Sequence, residues 1–289
     1  MRLLLSLALV AVQAICGFAQ ELATVHIEQV KELPYVSCGI ADSGPLHCLL
    51  DTGSAMTGVS RELAERLHLK THTDPSIPRA DLATQALDDL PLHIGAVSWT
   101  AHRVSIVPDD ISSLDRESGN GFHTDVVIGT SLFEQFQVTL DPDASQIRFS
   151  QPGAPVPEGV EKLTTSVPQV PFAILMLKSQ DGHAIAGPFS LDTGSRSPVL
   201  LSPSFWTSRP ALAISDVHGE QMSLDGLRIG SHTLSHVPAG KPSNGSGLLA
   251  AKTVGGVLGA PILNRFLVIY DLSRNSVWIK PGPHLSAAF

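Results

Sequence analysis

The tetrapeptide Asp-Thr-Gly-Ser occurs twice in this sequence, and its aspartates are the residues best suited to do chemistry together. The first copy begins at Asp51 and the second at Asp192, 141 positions later. A single copy is more often an ordinary turn, because Asp and Gly are common in turns for conformational reasons. Each copy here follows a short apolar segment, at 48–50 and 188–191. The two loops are therefore predicted to be equivalent and to bring their carboxylates together.

Two carboxylates at short range cannot both ionise easily, so they share one proton and titrate as a coupled pair. Such a pair supplies a base that activates water and an acid that protonates a carbonyl oxygen under attack. We therefore predict hydrolysis by Asp51 and Asp192 without a metal ion, a covalent nucleophile or a cofactor. The pattern does not assign the shared proton to either aspartate.

The repetition extends well beyond the two tetrapeptides. Val-Ile-Gly at 127–129 is matched by Val-Leu-Gly at 257–259, and residues 125–149 match residues 255–279 without a gap, at an offset of 130. A third block, Leu-x-Ile-Gly, repeats between these two in the same order. Three ordered blocks predict a duplicated lobe rather than a coincidence.

The coarse pattern within each lobe predicts a mainly β protein with a few short helices. Short runs of Val, Ile, Leu and Phe are separated by Gly, Pro, Asp and Ser clusters, which is typical of strands and turns. Ser60 can cap a helix over 61–67, and Ser202 can cap one that begins with proline. Further helices are expected at 130–136 and 260–266, after the repeated glycines.

The repeat also predicts the domain organisation. We expect an N-terminal lobe at 20–150 and a C-terminal lobe at 172–289. Residues 151–171 contain five prolines, which is typical of a connection between lobes.

The doubled Asp-Thr-Gly-Ser, each followed by an apolar-apolar-Gly element at 127–129 or 257–259, resembles the pepsin/retropepsin superfamily of aspartic peptidases. The resemblance covers essentially the whole chain after residue 19. Because the lobes are short, the chain looks most like a fused, tandem retropepsin-like protein. This implies an all-β, bilobal acid-protease fold with pseudo-twofold symmetry and aspartic endopeptidase activity on an extended peptide or protein substrate.

The resemblance also implies a role for each residue of the two loops. Asp51 and Asp192 would hold the water between them. Thr52 and Thr193 would lock the two loops together through crossed hydrogen bonds, and Ser54 and Ser195 would contact the outer carboxylate oxygens. The loop glycines Gly53 and Gly194 would also support the aspartates, and the Ile-Gly and Leu-Gly pairs would pack beneath the loops.

Two features depart from the resemblance. Pepsins carry a flap tyrosine, whereas this sequence has only Tyr35 and Tyr270, neither in a flap position. The expected flap tips are at 79–87 and 215–222, the second containing His-Gly. Arg196 follows the second tetrapeptide; it would lower a carboxylate pKa if it pointed inward, and the alternative is a solvated arginine.

The first 19 residues have the pattern of a secretory signal peptide. Arg2 precedes an apolar run over 3–15, and small residues lead to Ala19, as in a charged start, an apolar middle and a cleavage site. We therefore expect a secreted or periplasmic protein, with a retained anchor or a lipid-modified Cys16 as alternatives. No later run could cross a bilayer. No inhibitory propeptide follows Ala19, so activity is expected without trimming.

Two cysteines remain after residue 19. Cys38 and Cys48 lie on either side of a predicted turn at 41–45, and with Ser43 at its centre they would face each other directly. A cross-strand disulfide and two buried thiols are both open at this point, because sequence does not determine their geometry.

The composition excludes several other classes of protein. With 43% hydrophobic and 16% charged residues, the chain is neither disordered nor a coiled coil. A net charge of −8 without a basic run argues against a nucleic-acid partner. The twelve histidines lack His-Glu-x-x-His spacing and the cysteines lack Cys-x-x-Cys spacing, so no metal site is expected. We expect a monomer.

Two competing functions remain. A bilobal β protein could bind an extended peptide by strand addition without cutting it. The two halves could also serve as oligomerisation modules, which predicts that each half is stable alone. We favour the peptidase, because neither aspartate nor its Thr-Gly neighbours is replaced in either copy.

Overall fold

A computed structural model describes residues 21–74, 85–107 and 123–289. The signal segment at 1–19 and most of the first expected flap tip lie outside these residues. Within them the chain is mainly β with a few short helices, which confirms the predicted fold class. None of the helices in the described ranges is long and apolar enough to cross a membrane.

The strands of the first half of the chain are β1 (Glu21–His26), β2 (Glu28–Val30), β3 (Leu33–Ile40), β4 (Ser43–Leu50), β5 (Gly58–Ser60), β6 (His72–Thr73), β7 (Gln85–Ile94), β8 (Val97–Val107), β9 (Val126–Ile128), β10 (Gln137–Asp141) and β11 (Gln146–Ser150). Those of the second half are β12 (Glu161–Lys162), β13 (Thr165–Ser166), β14 (Phe172–Lys178), β15 (Ala184–Asp192), β16 (Val199–Leu201), β17 (Ile214–His218), β18 (Gln221–Leu224), β19 (Leu227–Ile229), β20 (His232–Leu234), β21 (Val237–Gly240), β22 (Gly256–Gly259), β23 (Phe266–Asp271) and β24 (Ser276–Pro281).

Each half of the chain builds its own sheet around a central pair of parallel strands. The first sheet has the order β2-β3-β4-β9-β5-β8-β7-β6, and the second has the order β17-β18-β21-β16-β22-β15-β14-β19-β20, with β13 paired to β14. The central parallel pairs are β4 with β9 and β15 with β22, and β5 with β8 and β16 with β21 are parallel as well. Both β4 and β15 become continuously buried toward their ends, as expected for strands covered on both faces.

A third, six-stranded sheet joins the halves, and its order is β1-β11-β10-β23-β24-β12. Three of its strands come from each half. At the junction, β10 and β23 are antiparallel and Thr139 faces Ile269 at the centre of the pairing. These two residues are equivalent in the sequence repeat of offset 130. The pseudo-twofold axis therefore passes through this residue pair, as the duplicated sequence requires.

In the described part of the chain, four short α-helices support the loops that follow the strands. Two begin where a serine side chain accepts a hydrogen bond from the third residue of the helix: Ser60 from Leu63 N–H and Ser202 from Phe205 N–H, both at 3.2 Å. All four were predicted, and the three with predicted bounds, 61–67, 130–136 and 260–266, are one, two and three residues shorter than predicted. The helices are Arg61–Arg66, Ser131–Gln135, Pro203–Thr207 and Ala260–Leu263, with 3₁₀ turns at Gly247–Ala250 and Leu272–Arg274.

The proline-rich stretch at 151–171 is more structured than a plain connection. It contains β12, which pairs with β24 in the joining sheet, and β13, which pairs with β14 of the second half. The N–H of Gly153 also donates to the buried carboxylate of Asp271 at 2.7 Å.

Cys38 and Cys48 form a disulfide with their Cα atoms 6.0 Å apart. The prediction that they face each other directly is wrong. Ile40 pairs with Ser43, so the turn is centred on residues 41 and 42, and Cys38 pairs with Leu46. The register shifts between Cys38 and Ile40, because an irregularity adds a residue to one strand. The disulfide is therefore diagonal across the hairpin.

Candidate active site

The two aspartates leave the ends of equivalent central strands. Asp51 follows β4, and its N–H donates to Ile128 O of β9 at 2.9 Å. Asp192 is the last residue of β15 and lies in register with Gly259 of β22. Both aspartates are half-buried, so each carboxylate is desolvated by the loops around it and still reaches solvent.

Within each loop, the glycine N–H holds the aspartate carboxylate. Gly53 N–H donates to Asp51 Oδ1 and Gly194 N–H donates to Asp192 Oδ1, each at 2.9 Å. The two loops therefore have the same local geometry.

The two loops also require glycine because each one lies against the other's aspartate. A Cβ atom on Gly53 would lie 2.3 Å from Asp192 Cγ, and one on Gly194 would lie 2.5 Å from Asp51 Cγ. Cβ atoms in real structures do not approach other atoms this closely. The structure thus brings Asp51 and Asp192 together across the pseudo-twofold axis, with each carboxylate packed on the opposite loop.

Crossed hydrogen bonds between the threonines connect the two loops. Thr52 N–H donates to Thr193 Oγ1 and Thr193 N–H donates to Thr52 Oγ1, both at 3.1 Å. In addition, each hydroxyl donates across the axis to the backbone before the opposite aspartate, Thr52 to Leu191 O and Thr193 to Leu50 O, both at 2.7 Å. Both threonines are buried, so these bonds are shielded from water.

The serines are placed differently from the role that the resemblance implies. The Ser54 hydroxyl donates to Met56 O at 2.7 Å and the Ser195 hydroxyl donates to Ser197 O at 3.4 Å. A hydroxyl has one proton, so these side chains do not donate to the outer carboxylate oxygens. Their backbone N–H groups do contribute, since each lowers the pKa of its aspartate. The serine side chains shape the loops from within.

The apolar-Gly pairs lie beneath the loops. A Cβ atom on Gly129 would lie 2.4 Å from Met56 O, and one on Gly259 would lie 2.1 Å from Ser197 O. The following residues hold the loops from below, since Thr130 N–H donates to Ser54 O at 2.9 Å and Ala260 N–H to Ser195 O at 2.8 Å. Neither glycine can take a side chain without displacing a loop.

Burial raises the pKa of both aspartates, and repulsion from the neighbouring carboxylate adds to the rise at Asp51. For Asp51, burial raises the pKa well above its ordinary value, the charge of Asp192 and a hydrogen bond with it raise it further, and the loop N–H groups oppose the rise. Burial also raises the pKa of Asp192, while the hydrogen bond with Asp51 and the N–H groups of its own loop lower it. The pair therefore retains a proton where solvated carboxyl groups have lost theirs.

Arg196 follows the second aspartate loop directly. It is half-buried, and it is not among the groups that shift the pKa of either aspartate. Its equivalent in the first half is Ala55. Both interpretations of Arg196, inward and solvated, stay predictions.

The expected flap of the second half is a hairpin of β17 and β18. Gly219, predicted at its tip, has a φ of 61° and lies between the two strands. In the first half, β6 pairs with β7, and the residues that link them lie outside the described ranges, as does most of the tip predicted at 79–87. Across the described ranges, no group of three or more His, Cys, Asp or Glu residues could hold a metal ion.

One polar residue beside the site was not singled out from the sequence. Tyr270 of β23 is fully buried. Burial raises the pKa of its hydroxyl above the ordinary value, Thr52 lowers it, and the charge of Asp192 raises it. The signal that could have identified it is an asymmetry in the repeat, because the equivalent residue in the first half is Leu140.

Comparisons with known proteins find a likeness in structure alone. No protein-family model and no curated protein matches this sequence. Among solved structures, the aspartic proteinase from Irpex lacteus matches with a TM-score of 0.54 and 12% sequence identity, over 92% of this chain and 98% of that chain. At this identity the match shows a shared fold, which is the bilobal architecture expected from the duplicated sequence.

Proposed function

We propose that this chain, which shares its fold with an aspartic proteinase, is an aspartic endopeptidase with Asp51 and Asp192 as its catalytic residues. The observation that carries the proposal is the geometry of the two loops. Each carboxylate accepts a glycine N–H at 2.9 Å and lies against the opposite loop's glycine. Two partly exposed carboxylates held this way form a rigid site for one water molecule.

The reaction follows from one proton shared between two carboxyl groups. The ionised aspartate takes a proton from water, and the resulting hydroxide equivalent attacks the carbonyl carbon of the peptide bond. The protonated aspartate gives its proton to the carbonyl oxygen, so a neutral tetrahedral intermediate forms. When this collapses, the C–N bond breaks, the aspartate that took the proton from water gives it to the amine nitrogen, and the other aspartate takes the proton of a hydroxyl of the intermediate. One proton is then again shared by the dyad.

The proposed substrate is an extended peptide or protein segment. The sheets place the dyad at the ends of central strands, and the hairpin of β17 and β18 presents Val217 with 47% of its surface exposed. An extended chain can bond to strand edges through its backbone while exposed apolar side chains contact its side chains. The proposed partner is therefore a peptide bound by a monomer of this chain.

The disulfide supports a proposed location outside the cytoplasm. Disulfides persist in oxidising compartments and are rare in the cytosol, and Cys38 and Cys48 are joined in this structure. Together with the signal-like sequence at 1–19, this favours a secreted or periplasmic enzyme.

The test is digestion of a diverse peptide mixture by residues 20–289 from acidic to neutral pH. Asp51→Asn and Asp192→Asn keep the shape of the side chain but cannot share the proton, so each should lower cleavage by about 10²–10⁴-fold or more. Asp181→Asn, which changes an exposed carboxylate, is the matched control and should cleave as the parent does.

Two outcomes contradict the proposal. Cleavage that survives in either dyad variant would place the chemistry elsewhere. If the folded parent cleaves nothing but binds members of the same mixture, the chain is instead a catalytically silent peptide-binding protein on this fold.

A further inference from the structure

A cavity of about 770 Å³ lies in the second half of the chain, between the hairpin of β17 and β18, the segment 233–238 and the segment 285–289. This volume is within the range of small-molecule sites in proteins, about 300–1,000 Å³. Neither Asp51 nor Asp192 lines the cavity. The cavity is therefore separate from the dyad, and its lining has to be explained on its own.

Polar side chains from the hairpin and from the segment 233–238 converge on this cavity. They are Asp216, Gln221, Ser223, Thr233, Ser235 and His236. Within the described ranges, none of these six side chains has a hydrogen-bond or ion-pair partner in the protein. The cavity therefore offers carboxylate, amide, hydroxyl and imidazole groups whose hydrogen-bonding capacity is available to a ligand.

The charges of the lining disfavour an anionic ligand. Arg265 is the permanent cation among the described lining residues, and its guanidinium donates to Leu285 O at 3.0 Å and to Ala288 O at 3.2 Å. These bonds hold the guanidinium against the backbone of the segment 285–289. The carboxylate of Asp216 repels an anion placed beside it. The lining thus suits a neutral ligand with several hydroxyl groups.

Phe289 adds an aromatic surface to the lining. The guanidinium carbon of Arg265 lies 3.6 Å from the centroid of the Phe289 ring, so the cation covers one face of that ring. Phe289 is still 44% exposed, which leaves the opposite face available. A sugar ring has one apolar face of C–H groups that can pack on an aromatic ring, and its hydroxyls can bond to polar side chains at the same time.

We propose that this cavity is a binding site for a neutral sugar. The apolar face of the sugar packs on the free face of Phe289, and the hydroxyls of the sugar bond to the polar side chains around it. Asp216 is the charged acceptor among these groups, and hydrogen bonds to a charged acceptor are the stronger ones. The site binds sugar whether or not the chain cleaves peptides, because none of its residues belongs to the aspartate loops.

Saturation-transfer NMR with residues 20–289 tests the site without any turnover. The probes are the methyl glycosides of glucose, galactose, mannose and N-acetylglucosamine, together with the uronic acids of glucose and galactose. Saturation transfer to at least one neutral glycoside is expected, with weaker transfer to the acids. A lack of transfer to every neutral glycoside would overturn the proposal, and so would tighter binding of an acid than of its neutral counterpart.

Substitutions in the lining locate the bound sugar. Asp216→Asn removes the charge and should weaken binding by about five- to tenfold. Asn also tolerates the left-handed backbone at this position, where φ is 50°. Phe289→Ala removes the aromatic surface and should weaken binding by about two- to tenfold. Asp181→Asn makes the same change at an exposed carboxylate outside the cavity, so it is the matched control and should bind sugar as the parent does.

A third variant covers the case in which Phe289→Ala disturbs the segment 285–289. Ser235 is exposed at the cavity, so Ser235→Trp fills the cavity without changing Arg265 or its bonds. This variant should abolish saturation transfer while circular dichroism and the melting temperature stay those of the parent. Binding that is unchanged in folded Ser235→Trp and Asp216→Asn would place the sugar elsewhere and refute the site.

Glycopeptides distinguish a free sugar from the end of a glycan. A glycopeptide that carries the bound sugar is compared with its unglycosylated peptide in Asp51→Asn, in which cleavage should be suppressed. Competition of the glycopeptide with the methyl glycoside identifies a glycan as the ligand, and competition by free sugars alone identifies a free saccharide; either result supports a sugar site. An unglycosylated peptide that displaces the methyl glycoside equally well would make the cavity a peptide site and overturn the proposal.

Discussion

The two halves of the molecule hold the same aspartate loop on different supports. In the first half, β7 and β8 form one long hairpin of 10 and 11 residues. In the second half the corresponding hairpin is interrupted, so that β18 pairs with β21 while β19 pairs separately with β20. The loop hydrogen bonds from glycine to aspartate nevertheless have the same length of 2.9 Å in both halves.

The strands that lead into the loops are also stabilised differently. Cys48, three residues before Asp51, is joined to Cys38 by the disulfide. The equivalent residue in the second half is Phe189, whose ring packs edge-on against Phe205 with the centroids 5.6 Å apart. Equivalent positions before the two aspartates are thus stabilised by a covalent link in the first half and by an aromatic contact in the second half. The comparison shows that the loop geometry depends on contacts between the loops more than on the scaffold of either half.

The largest effect is expected when a methyl group is added between the two loops, because it would force them apart. Gly53→Ala and Gly194→Ala would place Cβ atoms 2.3 and 2.5 Å from the opposite aspartate. Overpacking of this kind costs about 1–3 kcal/mol and displaces the carboxylates, so both variants should lose activity almost completely. Chemical denaturation and peptide cleavage measure the two effects.

Gly182→Ala provides the control for these glycine variants. Gly182 has a positive φ of 85° and no atom within 4 Å of an added Cβ. It should cost about 1–2 kcal/mol of backbone strain and leave cleavage intact. Full activity in Gly53→Ala would show that the loops can move apart without loss of function, against the interpretation given above.

The pH dependence of stability sharpens the comparison of the two aspartates. Because burial raises the Asp51 pKa, the folded state binds more protons than the unfolded chain between the ordinary value of 3.8 and the raised value. Stability should therefore fall as pH rises through this window, by roughly 1.4 kcal/mol for each unit of pKa shift. Because the two carboxyl groups titrate as a coupled pair, Asp51→Asn and Asp192→Asn should each reduce this loss.

Denaturant unfolding at several pH values from 3 upward, about one unit apart, measures how the free energy of unfolding changes with pH in each variant. Asp181→Asn is a suitable control, because the pKa of that exposed carboxyl is lowered by the Ser179 hydroxyl and its removal cannot relieve the loss. A loss that is unchanged in both dyad variants would contradict a raised pKa at this pair.

The smallest effects are expected at the loop serines. Ser54→Ala removes a hydrogen bond of 2.7 Å to Met56 O, and Ser195→Ala removes a longer one of 3.4 Å to Ser197 O. Ser54→Ala should cost about 0.5–1.5 kcal/mol and Ser195→Ala less, with the pH profile of cleavage unchanged in both. A shifted profile in either variant would mean that the hydroxyl bonds to the carboxylate during catalysis after all.

Much of the fold could be predicted because the chain is duplicated. The repeat of offset 130 predicted the twofold relation that appears at the pair of Thr139 and Ile269, and the serine caps predicted the helix starts at Arg61 and Pro203. These signals are local or repeated, so they do not depend on knowing which distant segments meet.

The predictions that differed from the structure depend on register and on side-chain direction. The hairpin of Cys38 and Cys48 has its turn at 41–42 because the strand is irregular near Cys38, and a shift of one residue is invisible in an alternating pattern. The resemblance implied that the Ser54 hydroxyl contacts a carboxylate oxygen, whereas in the folded loop it donates to Met56 O.

The sequence by itself determined the mainly β fold, the duplication and the identity of the two aspartates, because each is written as a pattern that repeats along the chain. Only the tertiary structure decided how the halves differ. The diagonal disulfide follows from strand register and the direction of the serine hydroxyls from loop geometry, while the crossed threonine bonds join segments 141 residues apart. Such contacts depend on packing across the pseudo-twofold axis, which no local pattern encodes.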